Sequence, residues 1–273
     1  MLVQTASVEF GDRWFNWWLV KAKIPVNRLI FGTSALHKIG RERDRVALLH
    51  CAYHVGFRHF DLASCYGGGI ANSAFRKAFQ SGSHDLTVSS KIGLVSSIGS
   101  PSSSMVYFLK RAMRPHAPVL APLSPKLRLF RDALEKERFS LNRDQLDYVF
   151  FHEPCARFLK SESFGDWVQG ELKNSFLNFG VAGDANSIYE WVRWSNHLPF
   201  HVVTQTKDSI EYREADFLLP LGRHREFTYG YVRGNKRPGS RPFDLADTLS
   251  VNRTGKVIYA TTSIRRLEDL DFG

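Results

Sequence analysis

Eight short apolar runs alternate with helical patterns along most of the chain, and this alternation restricts the fold more than any other feature. The runs are rich in branched and aromatic residues, as buried strands are. They cover 28–33, 57–60, 86–92, 146–152, 174–181, 200–205, 226–231 and 256–261. Between most of them, apolar residues recur at the spacing of an amphipathic helix, as over 42–55 and 70–80. Strands that alternate with helices predict a parallel sheet, and eight such units are what a closed barrel requires. We therefore predict an α/β fold, a single-domain (β/α)8 TIM barrel over 28–273, preceded by an N-terminal arm at 1–27.

The alternation is interrupted after the third predicted strand, where residues 93–125 are rich in Ser and Pro. A connection of this length is uncommon in a compact domain and is usually functional. We predict a long loop here with a short helix over 105–113. The next helix is predicted to begin at Ser124-Pro125, with Leu127, Phe130, Leu134 and Phe139 on its core side.

Polar residues stand at the ends of four predicted strands. They are Asp61, Lys91, His152 and Gln205. In a (β/α)8 barrel the carboxyl ends of the strands meet at one face, which carries the chemistry. Tyr66 follows Asp61 by five residues and precedes three glycines, so it is expected on the loop above the same face.

An Asp, a Tyr, a Lys and a His that converge favour proton transfer to an oxygen. A phenol has an ordinary pKa of about 10, and a neighbouring ammonium lowers it. Lys91 is the candidate ammonium, and Asp61 is expected to hold it charged and in place. Tyr66 then acts as general acid toward a carbonyl oxygen, which His152 orients by a hydrogen bond. The hydride that such a reduction needs must come from a cofactor, since no side chain supplies one.

The chain resembles the aldo-keto reductase family from about residue 28 to residue 270. The resemblance rests on 56–69 (GFRHFDLASCYGGG), 88–93 (VSSKIG), 147–154 (DYVFFHEP), 176–184 (FLNFGVAGD), 202–205 (VVTQ) and 258–270 (IYATTSIRRLEDL). It implies a (β/α)8 barrel, NADPH as hydride donor, and an aldehyde or ketone, sugars included, as substrate. Asp61, Tyr66, Lys91 and His152 match the family's catalytic tetrad in order.

The resemblance also implies residues that bind NADP(H). They are Gly32, Thr33, Gln205, Tyr229, Thr262, Ser263, Arg265 and Arg266. Gln205 matches a glutamine near the nicotinamide carboxamide, and Tyr229 an aromatic residue that stacks on the nicotinamide ring. Thr262, Ser263 and Arg266 match the segment that holds the adenosine phosphates. An arginine here can grip a 2′-phosphate, which favours NADPH over NADH; the alternative, a solvated helix face, stays open.

The sequence departs from the family pattern at several places. Asn72 stands where the family usually has a Glu, and Ala182-Gly183 replaces the usual Ser-Asn that holds the carboxamide; Asp184 or Asn186 are possible substitutes. The chain stops at Gly273, before the family's C-terminal tail, so substrate contacts are expected from 93–125, 206–225 or 232–254. These departures keep a second interpretation open: a cofactor-binding barrel that serves as a redox sensor or partner-binding subunit with little turnover.

The composition restricts partners and location. The formal net charge is +10, but the basic residues are scattered and no nucleic-acid-binding motif is visible, which favours an anionic cofactor or substrate over nucleic acid. No apolar run is long enough to cross a bilayer, and no signal-peptide pattern is present. The spacing of the three cysteines fits neither a disulfide framework nor a zinc site. We predict a cytoplasmic monomer or dimer without a metal that acts on a small carbonyl compound or alcohol.

Overall fold

A computed structural model describes residues 25–80, 85–97, 99–113, 120–122, 126–154, 162–234 and 245–270. Of the predicted N-terminal arm, only residues 25–27 are among them; Val26–Arg28 forms a turn of 3₁₀ helix. None of the helices described is long and apolar enough to span a membrane.

The described residues form ten strands. They are β1 (Leu29–Gly32), β2 (His59–Asp61), β3 (Thr87–Ile92), β4 (Leu94–Ser96), β5 (Leu120–Pro122), β6 (Leu146–His152), β7 (Phe176–Gly183), β8 (Val202–Lys207), β9 (Phe227–Tyr229) and β10 (Lys256–Tyr259). Eight of them form a closed parallel barrel in the order β1-β10-β9-β8-β7-β6-β3-β2. The predicted (β/α)8 barrel is thereby confirmed. The first strand closes the ring, since Ile30 pairs with Ile258 on β10 and Gly32 pairs with Asp61 on β2.

Helices cover the outside of the barrel. They are α1 (Glu42–His54), α2 (Ile70–Ala78), α3 (Ser104–Ala112), α4 (Leu127–Leu141), α5 (Glu162–Glu171), α6 (Ala185–Ser195), α7 (Tyr231–Gly234), α8 (Leu245–Val251) and α9 (Ile264–Glu268). The large core lies between these helices and the strands, and aromatic residues such as Phe60, Phe151 and Trp191 are fully buried in it or nearly so. A second, smaller core fills the barrel itself and includes Phe150 and Phe227. Because successive strand residues alternate between these two cores, the residues with functional interest are those that point inward.

The described part of the 93–125 segment contains two short strands and a helix and is therefore not a plain loop. β4 and β5 pair antiparallel outside the barrel, and α3 begins after Ser103, whose hydroxyl accepts a hydrogen bond from the Val106 N–H. Arg45 on α1 donates to the Ser104 hydroxyl at 2.7 Å and to the Ile39 carbonyl at 2.8 Å, so α3 is anchored to the segment after β1. The predicted start of the next helix at 124–125 lies outside the described residues.

Several expectations from the sequence were wrong in detail, among them the bounds of the second, sixth and seventh predicted strands. Phe139, predicted on the core side of its helix, is 81% exposed, because α4 turns Phe130, Leu134 and Leu141 inward instead. The fifth predicted strand, 174–181, instead begins at Phe176 and continues to Gly183. The extension matters, because it brings Ala182 into register with both His152 and Gln205.

Candidate active site

The carboxyl ends of β2, β3 and β8 bring three of the predicted residues into direct contact. The Lys91 Nζ donates to both carboxylate oxygens of Asp61 at 2.6 Å, and the Gln205 amide donates to Asp61 Oδ1 at 3.0 Å. All three side chains are at most 4% exposed. A buried charge is costly unless it is paired and hydrogen-bonded, and here each charge has its partner.

Thr33 and Gly32, predicted as cofactor contacts, lie at the end of β1 beside this ion pair. The Thr33 hydroxyl and N–H both donate to the Asp61 carbonyl, at 2.8 and 3.1 Å. A Cβ at Gly32 would lie 2.8 Å from a methyl carbon of Ile258. In this structure Thr33 therefore fixes the backbone of Asp61, and Gly32 allows close packing against β10.

Tyr66 starts the 3₁₀ turn Tyr66–Gly69 and lies next to the ion pair. The Lys91 Nζ is 4.9 Å from the centre of the Tyr66 ring. The rings of Tyr66 and His152 are perpendicular, with centres 6.3 Å apart. The structure therefore brings together all four residues of the predicted tetrad, which come from β2, the loop after it, β3 and β6.

The turn that carries Tyr66 requires its glycines. Gly67, Gly68 and Gly69 have φ values of 61°, 67° and 99°, a region that favours glycine. A Cβ at Gly68 would collide with the Gly99 carbonyl and lie 2.6 Å from Pro101 Cδ, while one at Gly67 would collide with His37. The turn is thus enclosed by the segment after β1, at His37, and by the 93–125 segment, at Gly99 and Pro101.

His152 has a partner that sequence reasoning missed. Its Nδ1 lies 3.7 Å from the Sγ of Cys65, the residue before Tyr66. The pKa of His152 is lowered to about 3, mainly by burial and to a smaller extent by the Lys91 ammonium. The ring is therefore neutral at physiological pH. Burial raises the pKa of Cys65 to about 12, so the thiol keeps its proton. When the S–H donates to Nδ1, the ring proton of His152 is on Nε2; the reverse bond, from Nδ1–H to the weakly accepting sulfur, requires the other tautomer.

At the end of β7, Ser187 and Glu153 take the space that a side chain at residue 183 would use. Glu153 has a φ of +49°, uncommon for its residue type, and its Oε2 is 2.8 Å from the place of a Cβ on Gly183. Burial raises the pKa of Glu153, and the Glu153 carboxylate adds to the burial that raises the pKa of Tyr229. Asp184, one of the two substitutes considered for the missing Ser-Asn, instead caps α6 by accepting from the Ser187 N–H at 3.0 Å. Asn186, the other, is exposed on α6.

The site can hold the amide end of a nicotinamide cofactor. Gln205 Oε1 is buried and has no hydrogen-bond partner among the described residues. A carboxamide N–H is a donor of the kind that this oxygen lacks. Tyr229, on β9, is partly buried at the same end of the barrel. The residues present therefore fit the cofactor at this position, although Ala182-Gly183 offers no side-chain donor.

The segment after β10, which carries the residues predicted to bind the adenosine phosphates, makes its described side-chain hydrogen bonds within itself. Ser263 caps α9 by accepting from the Arg266 N–H at 3.4 Å. Thr262, Arg265 and Arg266 are exposed, so the two guanidinium groups are accessible to an anion. The described residues contain no group of three or more His, Cys, Asp or Glu side chains suited to a metal ion.

Comparison with known proteins identifies the family. A model of the aldo/keto reductase family matches residues 28–166, which is just over half of the chain. The protein therefore belongs to the aldo/keto reductase family, a family of oxidoreductases. A search of curated proteins gave no significant match.

Solved structures resemble this barrel at low sequence identity. An aldo-keto reductase from Bacillus halodurans in its holo form has a TM-score of 0.67 and 17% identity, over 88% of this chain and 84% of its own. The glycerol dehydrogenase of Gluconobacter oxydans has a TM-score of 0.61 and 15% identity, over 90% and 86%. An aldo-keto reductase from Klebsiella pneumoniae in complex with NADPH has a TM-score of 0.61 and 16% identity, over 88% and 82%. At these identities the likeness establishes the fold.

Proposed function

We propose that this protein is an NADPH-dependent oxidoreductase that interconverts an aldehyde or ketone, sugars included, and its alcohol, with residues 28–273 as the catalytic unit. The observation that carries the proposal is the position of the Lys91 ammonium, bound to Asp61 and 4.9 Å from the centre of the Tyr66 ring. A cation beside a phenol favours the phenolate and so makes the phenol a better proton donor. Tyr66 is then the general acid for carbonyl reduction and, as phenolate, the general base for alcohol oxidation.

The other tetrad residues prepare this proton transfer. Asp61 holds Lys91 in place through two hydrogen bonds of 2.6 Å. His152, neutral and protonated on Nε2, donates a hydrogen bond to the carbonyl oxygen and orients it toward Tyr66. NADPH, when bound, supplies the hydride.

For the cofactor, we assign Gln205 Oε1 to the carboxamide N–H and the Tyr229 ring to the nicotinamide face. Gly32 and Thr33, beside Asp61, are assigned to the same part of the site. Thr262, Ser263, Arg265 and Arg266 are assigned to the adenosine phosphates. The two exposed arginines and the formal net charge of +10 support NADPH over NADH.

A cofactor-binding barrel with little turnover is the second candidate, and one observation favours it. At the end of β7 the Glu153 carboxylate and the Ser187 hydroxyl lie beside Gly183, where the resemblance implies the Ser-Asn pair that holds the carboxamide. The location in the cytoplasm and a monomeric or dimeric state remain predictions.

Replacing Tyr66 by Phe tests the proposal. In the wild type we expect NADPH oxidation with members of a panel of aldehydes and ketones. In Y66F we expect the rate to fall by about 100-fold or more, with the NADPH Kd from tryptophan quenching unchanged. R265A/R266A should weaken NADPH binding more than NADH binding, because only NADPH carries the 2′-phosphate. Tight NADPH binding without turnover of any carbonyl would favour the sensor, and absence of binding by either cofactor would contradict both candidates.

A further inference from the structure

Glu137 is a buried carboxylate on α4, outside the barrel, with 1% of its surface exposed. Its Oε1 accepts from the Ser64 N–H at 2.7 Å. Its Oε2 accepts from the Asn72 amide at 2.8 Å and from the Ser90 hydroxyl at 2.7 Å. The three donors belong to the loop after β2, to α2 and to β3, so one side chain connects three elements to a fourth.

Two of these donors are next to residues of the tetrad. Ser64 precedes Tyr66 by two residues on the loop, and Ser90 directly precedes Lys91 on β3. Because neighbouring strand residues point to opposite faces, Ser90 faces α4 while Lys91 faces the barrel interior. The Glu137 carboxylate therefore connects the loop that carries Tyr66 to the strand that carries Lys91.

We propose that Glu137 is a positioning residue of the proton-transfer site, which holds the Tyr66 loop against β3 so that the Lys91 ammonium lies beside the phenol. This role rests on the proposed function. Among the described residues, the Glu137 carboxylate accepts hydrogen bonds from Ser64, Asn72 and Ser90 and from none of the four tetrad side chains.

The chemistry of the contact supports positioning over simple packing. All three donors are uncharged, and burying a carboxylate among them costs more than burying an apolar side chain of similar size. An apolar residue here would fill the space but would leave the Ser64 N–H without its acceptor. Glutamine, in contrast, keeps one acceptor for Ser64. Its N–H can pair with Asn72 Oδ1 if the Asn72 amide flips, since that oxygen is buried without a partner among the described residues.

These properties define a matched set of variants. E137M keeps the volume and removes both acceptors, whereas E137Q keeps an acceptor and the shape. L134A, one turn earlier on the same helix at a residue that is 1% exposed, weakens the packing of α4 without touching the hydrogen bonds. Each variant is measured for carbonyl reduction at saturating NADPH, for the NADPH Kd, and for hydrogen exchange of the loop peptide 62–69.

For E137M we expect kcat to fall by about 10-fold or more relative to L134A, because small misplacements of catalytic groups are costly. Its NADPH Kd should stay within about twofold of the wild-type value, and exchange over 62–69 should be faster than in the wild type and in L134A. E137Q should recover most of the rate. Equal loss of kcat in E137M and L134A, or unchanged exchange of the loop in E137M, would overturn the proposal. If the wild type reduces no carbonyl, the proposed function fails, and the exchange measurement still decides whether Glu137 holds the loop.

Discussion

Cys65 lies where its thiol favours one tautomer of His152. Burial keeps the thiol protonated and the imidazole neutral, and an S–H directed at Nδ1 across their 3.7 Å contact favours the tautomer with the ring proton on Nε2. The proton of the ring is then on the nitrogen that remains for a ligand. Cys65, which was not a candidate in the sequence, thereby influences the proton position on His152, which was.

Replacing Cys65 by Ala should redistribute the two tautomers of His152, because the donor to Nδ1 is removed. Replacing it by Ser should retain the wild-type tautomer, because a hydroxyl can also donate. Nitrogen-15 NMR of histidine-labelled protein, with the signals of His152 assigned by their loss in H152N, measures the tautomer directly. For C65A we also expect kcat/KM to fall by roughly 2- to 10-fold, the usual value of one neutral hydrogen bond. Identical His152 spectra in C65A and wild type would show that Cys65 has no such role.

Among elements, the turn Tyr66–Gly69 is the one most restricted by its surroundings. Gly68 and Gly99 provide a matched pair, because both have φ near 70° (67° and 75°), but only Gly68 has backbone where a side chain would lie. For G99A we expect a loss of about 1 to 2 kcal/mol in the free energy of unfolding, the cost of the left-handed conformation. For G68A we expect a larger loss together with reduced carbonyl reduction, because the collision displaces the Tyr66 turn. Urea unfolding and activity assays compare them; equal stability and full activity in both variants would contradict the enclosure described for this turn.

The elements also show where sequence reasoning succeeds. Asp61, Lys91, His152 and Gln205 could be predicted as neighbours because each ends a recognisable apolar strand, and parallel strands in a barrel end at one face. The short strands β4 and β5 could not, because three residues of mixed burial produce no periodic pattern.

Glu137 and Glu153 were missed for a different reason. Glu137 follows the same spacing as Phe130, Leu134 and Leu141 and so lies on the apolar face of α4, which is the signal that could have found it. A glutamate is nevertheless rarely buried, and its partners Ser64, Asn72 and Ser90 come from distant parts of the sequence. The position of Glu153 depends on a positive φ that its residue type does not indicate.

For the whole molecule, two buried neutral histidines contribute to the dependence of stability on pH. Burial lowers the pKa of His152 to about 3. The pKa of His59 is also lowered well below its ordinary value, mainly by burial and in addition by the charges of Lys256 and Lys91. In the unfolded chain both return to about 6.5, so the unfolded state binds more protons below that pH. Their contribution to stability is therefore complete above about pH 6.5 and is lost as the pH falls toward the folded pKa values.

We expect the free energy of unfolding to decrease when the pH is lowered from about 7.5 to about 5.5, by about 1 kcal/mol for each of the two histidines. H152Q removes one of them, so its stability should decrease less over this interval. H197Q, at an exposed histidine, is the matched control and should follow the wild type. Urea unfolding at several pH values measures the difference; parallel curves for H152Q and wild type would contradict the neutral state of His152.

The closure of the barrel also has a consequence for the order in which the protein is made. β1 pairs with β10, so Leu29 meets Val257, and Asp61 binds Gln205, which is 144 residues later in the chain. On the ribosome, the strands that carry Asp61 and Lys91 therefore emerge well before β8 and β10 are synthesised. Until then the sheet has two open edges, which are prone to pair with other chains. Asp61 and Lys91 are thus translated early but gain their last contacts late. Misassembly of the nascent chain is most favoured while the strands that carry them still belong to an open sheet.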